Sequence, residues 1–528
     1  MPAPSTDEAL EAIKSRGAFY TPPAIAAFLA AWAIRDPADR VLEPSCGDGV
    51  FMAAAVDCLG DGIGHLVGIE LESQEAAKAR DSAPGAEIRV GSFFDVTAGD
   101  VGPMDAVIGN PPYIRYHQWS GVSRSSGIAR AAELGVDIGS LASSWAPFVI
   151  HATSFLRQAG RLALVLPAEL LHTDYAGPVR EYLLGRFTSV VIVAFDRLVF
   201  ADAQVDTVLL LASNDDALGL RVLRVRDEHA LAEIGDGAIR DGRGGNAHVP
   251  QHRWSAAVDA DAAALYAGLV ASGRYRRLGE IASVDIGFVS GANAYFVLDA
   301  SESHDLGIPE RALLPTVERP SDLKGLSLRA DEMRLLFRPD DDTAEDPVVR
   351  RYLDEGVRQR VDARYKPRHR RPWYRVPLPR QVSHLFLPYM SHHTPLMVVN
   401  LGARSTNLIH GVRLHEPETT DARAVAAYSL SSVWALSAEV EGRAYGGGVL
   451  KLETKEAERL IVPDLDHRAS AELVRLFPTL DEFVRSGRRA EASVAVDAVL
   501  GFSTKALRDA AAIFRDRRQG RGAARRSS

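Results

Sequence analysis

The amino-acid sequence predicts an α/β protein with a doubly wound, mostly parallel, Rossmann-like sheet, followed by a second domain of the α+β class. Strand-like runs alternate with helical stretches from residue 41 onward, which is typical of parallel sheets. Polar side chains follow several of these runs, at the strand ends where ligands bind in such sheets. After about residue 225 the alternation stops, and short strands broken by Gly and Pro replace it. The 528 residues are enough for two or more domains.

The first domain is predicted over residues 1–225 from seven strand-like runs in order. The first run belongs to the stretch VLEPSCGDGVF, residues 41–51, which indicates a strand, a Gly-containing loop and the start of a helix. The next six runs are HLVGIELE, EIRVGSFFDV, MDAVIGNPPY, GRLALVLPAELL, SVVIVAF and DTVLLLAS.

Three further segments complete the predicted organisation. Residues 226–255 are rich in Gly and in charge, which predicts a linker or long loop. The second domain is predicted over residues 256–510, with helical periodicity near 421–440 and 468–499. The tail, residues 511–528, is basic and is predicted to be disordered.

Composition excludes several classes of protein. Apolar residues make up 46% and charged residues 25%, as in ordinary globular proteins. The sequence contains no run of about 18 apolar residues, so no membrane span is predicted, and its N-terminus does not have the pattern of a secretory signal. The two cysteines, Cys46 and Cys58, form no CxxC pair, which predicts a cytoplasmic protein without a disulfide scaffold. The net charge of −8 excludes a wholly basic nucleic-acid coat but leaves room for local basic faces.

The first strand and its loop predict a binding site for a nucleoside-like cofactor. The loop matches neither GxGxxG nor a P-loop, yet its glycines, including Gly47, allow a ligand to approach the backbone closely. Glu43 can accept a hydrogen bond from an ammonium group, and both oxygens of Glu70 can bind ribose hydroxyls. The structural alternative is a tight strand–helix turn. Upstream, Thr21 precedes two prolines and an apolar helix, so it is either an N-cap or part of a flap over the cofactor.

The segment IGNPPYIRY, residues 108–116, predicts a catalytic turn at a strand end. The prolines fix the backbone, so that the Asn110 side-chain oxygen and the Pro111 carbonyl point in a set direction. Two such acceptors match the two hydrogens of an NH₂ group, and Tyr113 supplies a flat face for a ring. Alignment and stabilisation of developing positive charge would then favour methylation of a planar amine. The geometry suits adenine, cytosine or a glutamine amide equally, and a plain Pro-Pro turn is the structural alternative.

These motifs, in the order FYTPP, VLEPSCGDGVF, GIE and NPPY, resemble the TaqI-like, gamma-class DNA adenine-N6 methyltransferases, which use S-adenosylmethionine. Weaker similarity to the recognition domain of that family continues to about residue 465. The resemblance implies that the second domain recognises DNA. It also implies roles for individual residues: cofactor contact for Thr21, Glu43, Ser45 and Glu70, proximity to the cofactor for Pro112, amine binding for Asn110 and Pro111, and base stacking for Tyr113 and Phe200.

One position departs from the family pattern. The third strand ends in GSFFDV, so that Ser92 stands where the family usually has an acid that holds the cofactor's adenine, with Phe93 after it. Asp95, three residues further on, is the alternative ligand. The departure concerns the affinity for the cofactor rather than the type of reaction.

The segment RQRVDARYKPRHRRPWYR, residues 358–375 and called the basic segment from here on, predicts contact with duplex DNA. Base methylation requires the target base to rotate out of the stack, and phosphate contacts must offset that cost. The alternative is a solvated charged loop with core aromatics. His392–His393 is expected to be a surface pair, and no metal site is predicted. The predicted DNA-binding residues are Arg364, Lys366, Arg368, Arg370, Arg371 and Trp373.

The sequence therefore predicts a base-flipping, site-specific DNA adenine-N6 methyltransferase of a restriction-modification or phage-defence system. No nuclease motif is evident, so any DNA cleavage is expected to reside in a separate endonuclease or defence subunit. An RNA-base or protein-glutamine methyltransferase is the alternative. An inactive DNA-binding specificity subunit is the alternative from another class, although Asn110, Pro111, Pro112 and Tyr113 are all present.

Overall fold

The computed structural model describes residues 21–195, 199, 207–214, 219–233, 254, 260–445, 448–464, 466–502 and 504–524. The chain divides into two compact units, Met1–Ala264 and Leu265–Ser528. Among the described residues, the first unit holds one large sheet and the second holds four small sheets.

One eight-stranded sheet organises the first unit, and its strands are β1 (Val41–Glu43), β2 (Leu66–Glu70), β3 (Glu87–Val90), β4 (Met104–Gly109), β5 (Leu156–Pro167), β6 (Ser189–Phe195), β7 (Thr207–Ser213) and β8 (Gly219–Val225). Their order is β3-β2-β1-β4-β5-β7-β6-β8. All neighbours pair in parallel except β7, which is antiparallel to both β5 and β6. This confirms the predicted doubly wound sheet and adds β8, which the sequence analysis did not identify.

Helices cover both faces of this sheet, as the alternation of strands and helices predicts. Successive residues of a strand belong alternately to two buried clusters, one on each face of the sheet. Leu42 and Val107 belong to one cluster, whereas Val41 and Ile108 belong to the other. The helices of the unit are α1 (Pro23–Ala33), α2 (Val50–Leu59), α3 (Ser73–Ser82), α4 (Ala98–Val101), α5 (Gly121–Glu133), α6 (Trp145–Thr153) and α7 (Gly177–Arg186), and α8 (Ala260–Ala271) begins in this unit.

The predicted linker, residues 226–255, is described only at 226–233 and at Trp254. Its first part continues from β8 into a short 3₁₀ helix, Glu228–Glu233. Trp254 is fully buried in a core cluster of the first unit, so the end of the predicted linker contributes to packing.

The second unit combines small, mainly antiparallel sheets with helices, which is the α+β architecture that the sequence predicts. Its strands are β9 (Tyr275–Arg277), β10 (Ala282–Ile286), β11 (Val297–Leu298), β12 (Leu313–Val317), β13 (Arg334–Phe337), β14 (Leu385–Pro388), β15 (Met390–Ser391), β16 (Val398–Val399), β17 (Arg404–Ser405), β18 (Ile409–Leu414), β19 (Arg443–Tyr445), β20 (Val449–Lys451) and β21 (Ile461–Pro463). The sheets have the orders β10-β18-β14-β16, β11-β13-β12-β17, β15-β20-β19 and β21-β9.

Helices complete the second unit, and they are α9 (Leu278–Ile281), α10 (Asn293–Phe296), α11 (Ala300–Asp305), α12 (Asp341–Ala344), α13 (Pro347–Arg358), α14 (Ala422–Tyr428), α15 (Ser432–Glu441), α16 (Thr454–Arg459), α17 (His467–Arg485), α18 (Arg489–Leu500) and α19 (Thr504–Ala524). None of the described helices is both long and apolar enough to cross a membrane.

The prediction of disorder for the tail, residues 511–528, is wrong for residues 511–524, because α19 continues to Ala524, and residues 525–528 lie outside the described residues. The reason is a buried ion pair that a count of basic residues does not reveal. The Arg518 guanidinium donates to both carboxylate oxygens of Glu439, at 2.8 and 3.1 Å, and their side chains are only 3% and 4% exposed. It also donates to the Gly448 carbonyl. Arg518 is therefore a packing residue and not part of a solvated tail.

Candidate active site

The predicted site residues of the first unit gather where β1, β2 and β4 end. Glu43 is the last residue of β1, Glu70 is the last residue of β2, and Asn110 follows β4. The strand order reverses at β1, which has β2 on one side and β4 on the other. Such a switch point is the usual place for a ligand in an open α/β sheet.

Glu43 is a carboxylate without a partner. It is 0% exposed, neither carboxylate oxygen has a hydrogen bond of standard geometry among the described residues, and the nearby Ser45 N–H offsets only part of the cost of burial. Burial, reinforced by the negative charge of Glu70, raises the pKa of Glu43 well above its ordinary value. Because a buried charge without a partner is unfavourable, this carboxyl is suited to receive a cationic or hydrogen-bond-donating ligand group.

Gly109 provides the space for this carboxyl. A Cβ atom at position 109 would lie 2.3 Å from Glu43 Oε1, and the φ of Gly109 is 151°. We expect Gly109→Ala to lower the free energy of unfolding by about 2 kcal/mol, through overpacking and backbone strain. Urea denaturation would measure this change. The loss should be smaller in a Glu43→Ala background, and an equal loss in both backgrounds would contradict the role of the carboxyl contact.

The loop after β1 is tied to the end of β2. Glu70 Oε2 accepts from the Gly47 N–H at 2.9 Å, and Glu70 Oε1 accepts from the Glu72 N–H at 2.9 Å. The positive φ angles of Gly47 and Gly49, 49° and 90°, turn the chain into α2. The Glu70 carboxylate is thus fixed in direction, while its remaining lone pairs leave it able to accept from a ligand.

The Asn110 amide is held from two sides. Its Nδ2 donates to Thr21 Oγ1 at 3.1 Å, and its Oδ1 accepts from the Tyr113 hydroxyl at 2.6 Å. The Tyr113 hydroxyl also lies 2.9 Å from the Val165 carbonyl, and burial raises its pKa, so it remains a donor. Thr21 does not serve as the N-cap of α1, because Pro22 occupies that position without a side-chain cap.

Ser144 is a site residue that the sequence analysis missed. It is 2% exposed, and its hydroxyl donates to the Pro112 carbonyl and accepts from the Ile114 N–H at 2.9 Å. Its own N–H donates to the Ile114 carbonyl. Ser144 therefore anchors both ends of the turn that carries Pro112 and Tyr113. No sequence motif marks it, because it lies about thirty residues further along the chain.

The remaining cofactor candidates lie in different surroundings. Ser45 Oγ donates to the Asn110 carbonyl at 3.3 Å, so the loop after β1 touches the catalytic turn. Ser92 precedes a short 3₁₀ helix, and Asp95 in that helix is exposed. The Phe93 ring is 5% exposed and packs in the core, with its centroid 4.6 Å from that of Phe148. This surrounding favours a packing role for the Phe93 side chain over contact with a cofactor.

The predicted DNA-binding residues of the second unit separate into exposed and supporting side chains. Arg364, Lys366, Arg368 and Arg371 are exposed. Arg370 is half-buried and donates to the Val289 carbonyl at 2.5 Å. Trp373 packs against Tyr295 and Phe296, with ring centroids 5.8 and 6.1 Å away. Phe200, the predicted second stacking residue, lies outside the described residues.

The sheet order and these strand-end residues are the arrangement that the sequence analysis expects of a Rossmann-like methyltransferase. Residues 6–228 match the family model described as N-6 DNA Methylase, and residues 251–500 match the model described as Type II methyltransferase M.Eco57I, C-terminal domain. Each model matches less than half of the chain, but together they extend over both units, so the chain is similar along most of its length to Type II DNA N6-adenine methyltransferases, as the sequence predicts.

Curated relatives and a solved structure agree with this assignment. The chain is 28% identical to the Type II methyltransferase M.XamI of Xanthomonas campestris pv. amaranthicola over 477 residues, which cover 85% of this chain and 86% of that protein. It is 24% identical to M.AccI of Acinetobacter calcoaceticus, over 89% of each chain. The Type IIL restriction-modification enzyme MmeI, solved in complex with DNA, is similar in fold, with a TM-score of 0.55 and 12% identity over 92% of this chain and 73% of that one.

Proposed function

We propose that the protein transfers the methyl group of S-adenosylmethionine to the N6 amino group of adenine at specific sites in double-stranded DNA. The observation that supports this most directly is the contact between an unpartnered acid and an amine-binding turn. Glu43 lies against Gly109, and the next residue is Asn110. The adjacent ends of β1 and β4 therefore offer a carboxyl for a cofactor cation and acceptors for a target amine.

The strand ends fit S-adenosylmethionine by the chemistry of their side chains. The unpartnered Glu43 carboxyl would hold an ammonium group, and the Glu70 carboxylate would accept from ribose hydroxyls. Ser92 or Asp95 would contact the adenine ring of the cofactor. When bound, S-adenosylmethionine supplies a sulfonium methyl group as the electrophile.

The catalytic turn would orient the target amine. Asn110 Oδ1 and the Pro111 carbonyl accept its two hydrogens, and no donor from the described residues contacts the Pro111 carbonyl. This pairing turns the nitrogen lone pair out of the ring plane and stabilises the positive charge that develops there. Such alignment needs no strong base in the first step.

Tyr113 would change partners when the base enters. Its hydroxyl donates to Asn110 Oδ1, which is the acceptor assigned to the target amine. The incoming amine replaces this hydrogen bond, while the Val165 carbonyl at 2.9 Å keeps the hydroxyl in place. The ring then offers its face to the flipped base.

Ser144→Ala tests the anchoring of this turn. The change leaves the Pro112 carbonyl and the Ile114 N–H without their shared partner. We expect kcat to fall about 10- to 100-fold with KM nearly unchanged, because displacement of a reacting group by a fraction of an ångström is enough for such a loss. Steady-state methyl-transfer kinetics would measure both constants. Ser125→Ala is the matched control, because that hydroxyl bonds only carbonyls of its own helix, and an equal fall in both variants would contradict the anchoring role.

The wider context follows the relatives. Type II methyltransferases belong to restriction-modification systems, so we propose that this protein protects cytoplasmic DNA from a separate endonuclease. Exposed cations of the basic segment would contact DNA phosphates. The base must leave the duplex to reach the turn after β4.

Transfer of tritiated methyl groups tests the proposal. Purified protein and labelled S-adenosylmethionine would be incubated separately with unmethylated duplex DNA, RNA and bacterial protein. We expect label in DNA alone, at adenines that modification sequencing then locates. Label confined to RNA or to protein glutamine would overturn the proposal, and so would DNA binding without any transfer.

A further inference from the structure

The aromatic rings of the basic segment differ in what they can reach. Trp373 is packed against Tyr295 and Phe296, whereas the Tyr365 side chain is 67% exposed. The exposed Tyr365 ring keeps apolar surface that a flat partner can cover. Tyr365, which the sequence analysis did not select, is thus the ring of this segment available to a partner.

The loop beneath Tyr365 is held firmly. Pro367 is buried, and Gly291, with a φ of 80°, allows close packing, since a Cβ atom there would lie 2.6 Å from Lys366 Cβ. Arg370 donates to the Val289 carbonyl from the same side. A ring presented on a fixed loop loses little conformational entropy on binding.

Cations surround the exposed ring. Arg368 Cζ lies 5.2 Å and Lys366 Nζ lies 5.8 Å from the Tyr365 ring centroid, and Arg364 is the preceding residue. No carboxylate from the described residues forms an ion pair with these three side chains. A flat apolar face with unneutralised cations around it fits a polyanion that also has flat faces, which is a nucleic acid.

We propose that Tyr365 stacks on a nucleobase of bound DNA, while Arg364, Lys366 and Arg368 contact the flanking phosphates. The inference rests on the proposed function and adds a specific contact to it. Base faces are covered within an intact duplex, so the ring enters at an opened base step, as apolar wedges of other DNA-binding proteins do. The stacking requires the ring and not the hydroxyl.

The test uses the full-length protein and duplexes that carry 2-aminopurine, one position at a time, around the methylated site. We expect Tyr365→Ala to weaken DNA binding about tenfold, since stacking of one base on an aromatic ring has that magnitude. Tyr365→Phe should bind as the wild type does. One 2-aminopurine position should change its fluorescence on binding of the wild type and of Tyr365→Phe, but not of Tyr365→Ala.

Tyr445→Ala is the matched control, because Tyr445 is 57% exposed beside Lys451, whose charge Glu453 neutralises at 2.7 Å. Unchanged binding by Tyr365→Ala would overturn the inference, as would an equal loss in Tyr445→Ala or in Tyr365→Phe. Methyl transfer by the wild type is measured in parallel. Transfer to DNA with normal binding by Tyr365→Ala refutes the stacking alone, whereas absence of transfer to DNA refutes the proposed function.

Discussion

Asn110→Ala should reduce methyl transfer to DNA by about 10²- to 10³-fold, the loss that follows removal of one group aimed at a developing charge. The substitution removes the Oδ1 acceptor proposed for the target amine and leaves the Pro111 carbonyl alone. Single-turnover incorporation of tritium would measure the rate. Because Asn110 is not itself a proposed cofactor ligand and only supports Thr21, calorimetry should show a much smaller change in the affinity for S-adenosylmethionine than in the rate.

A matched control is available at the opposite end of the strands from the site. Asn214 follows β7, where its amide accepts from the Thr188 N–H and donates to the Gln158 carbonyl. Asn214→Ala removes a hydrogen-bonded amide of the same size without touching the site, so transfer should persist. Near-normal transfer by Asn110→Ala would exclude the proposed role of the turn.

Glu43→Gln should weaken binding of S-adenosylmethionine about 10- to 100-fold, because it replaces a charge-assisted hydrogen bond with a neutral one. The same change should stabilise the ligand-free protein, since it removes a buried charge without a partner. Opposite signs for affinity and stability distinguish a ligand-binding acid from a structural one. Calorimetry and urea denaturation would measure the two quantities.

The difference in stability between Glu43→Gln and the wild type should depend on pH, and its sign follows from the pKa of Glu43. Burial raises the pKa of Glu43, so the folded protein binds a proton that the unfolded chain releases above its carboxyl pKa of about 4.3. Stability of the wild type therefore falls as pH rises above that value, by at most about 1.4 kcal/mol per pH unit for this group. Glu43→Gln lacks this contribution. Its advantage should be absent near pH 4 and largest at high pH, and a constant difference would contradict the assignment.

The parts of the structure that the sequence predicts are those with a local signal. Seven strands of the first unit follow from apolar runs, and the turn after β4 follows from two prolines behind Asn110. β8 was missed because LRVLRV has its two arginines three residues apart and so lacks the apolar–polar alternation of period two that marks a strand. The α+β class of the second unit was predicted, but its pairings were not, since they join residues far apart in sequence.

The residues of the candidate site also differ in whether a local sequence signal reveals them. Glu43 and Glu70 were found because an acid at a strand end is visible in the sequence, but the absence of a partner for Glu43 depends on packing. Ser144 carries no motif, and only the fold brings it to Pro112. The sequence does not distinguish Tyr365 from Trp373. They differ in the structure because the Trp373 ring packs against Tyr295, whereas Tyr365 is exposed.

The ion pair between Arg518 and Glu439 has a practical consequence for handling the protein. Deleting α19 would remove the Arg518 partner of Glu439 and uncover the surface of α15 against which α19 packs, and both changes would lower the stability of the second unit. The basic C-terminal segment is therefore a poor place to trim when designing expression clones, despite its low-complexity look. Purification tags belong beyond Ala524, where they leave this pair intact.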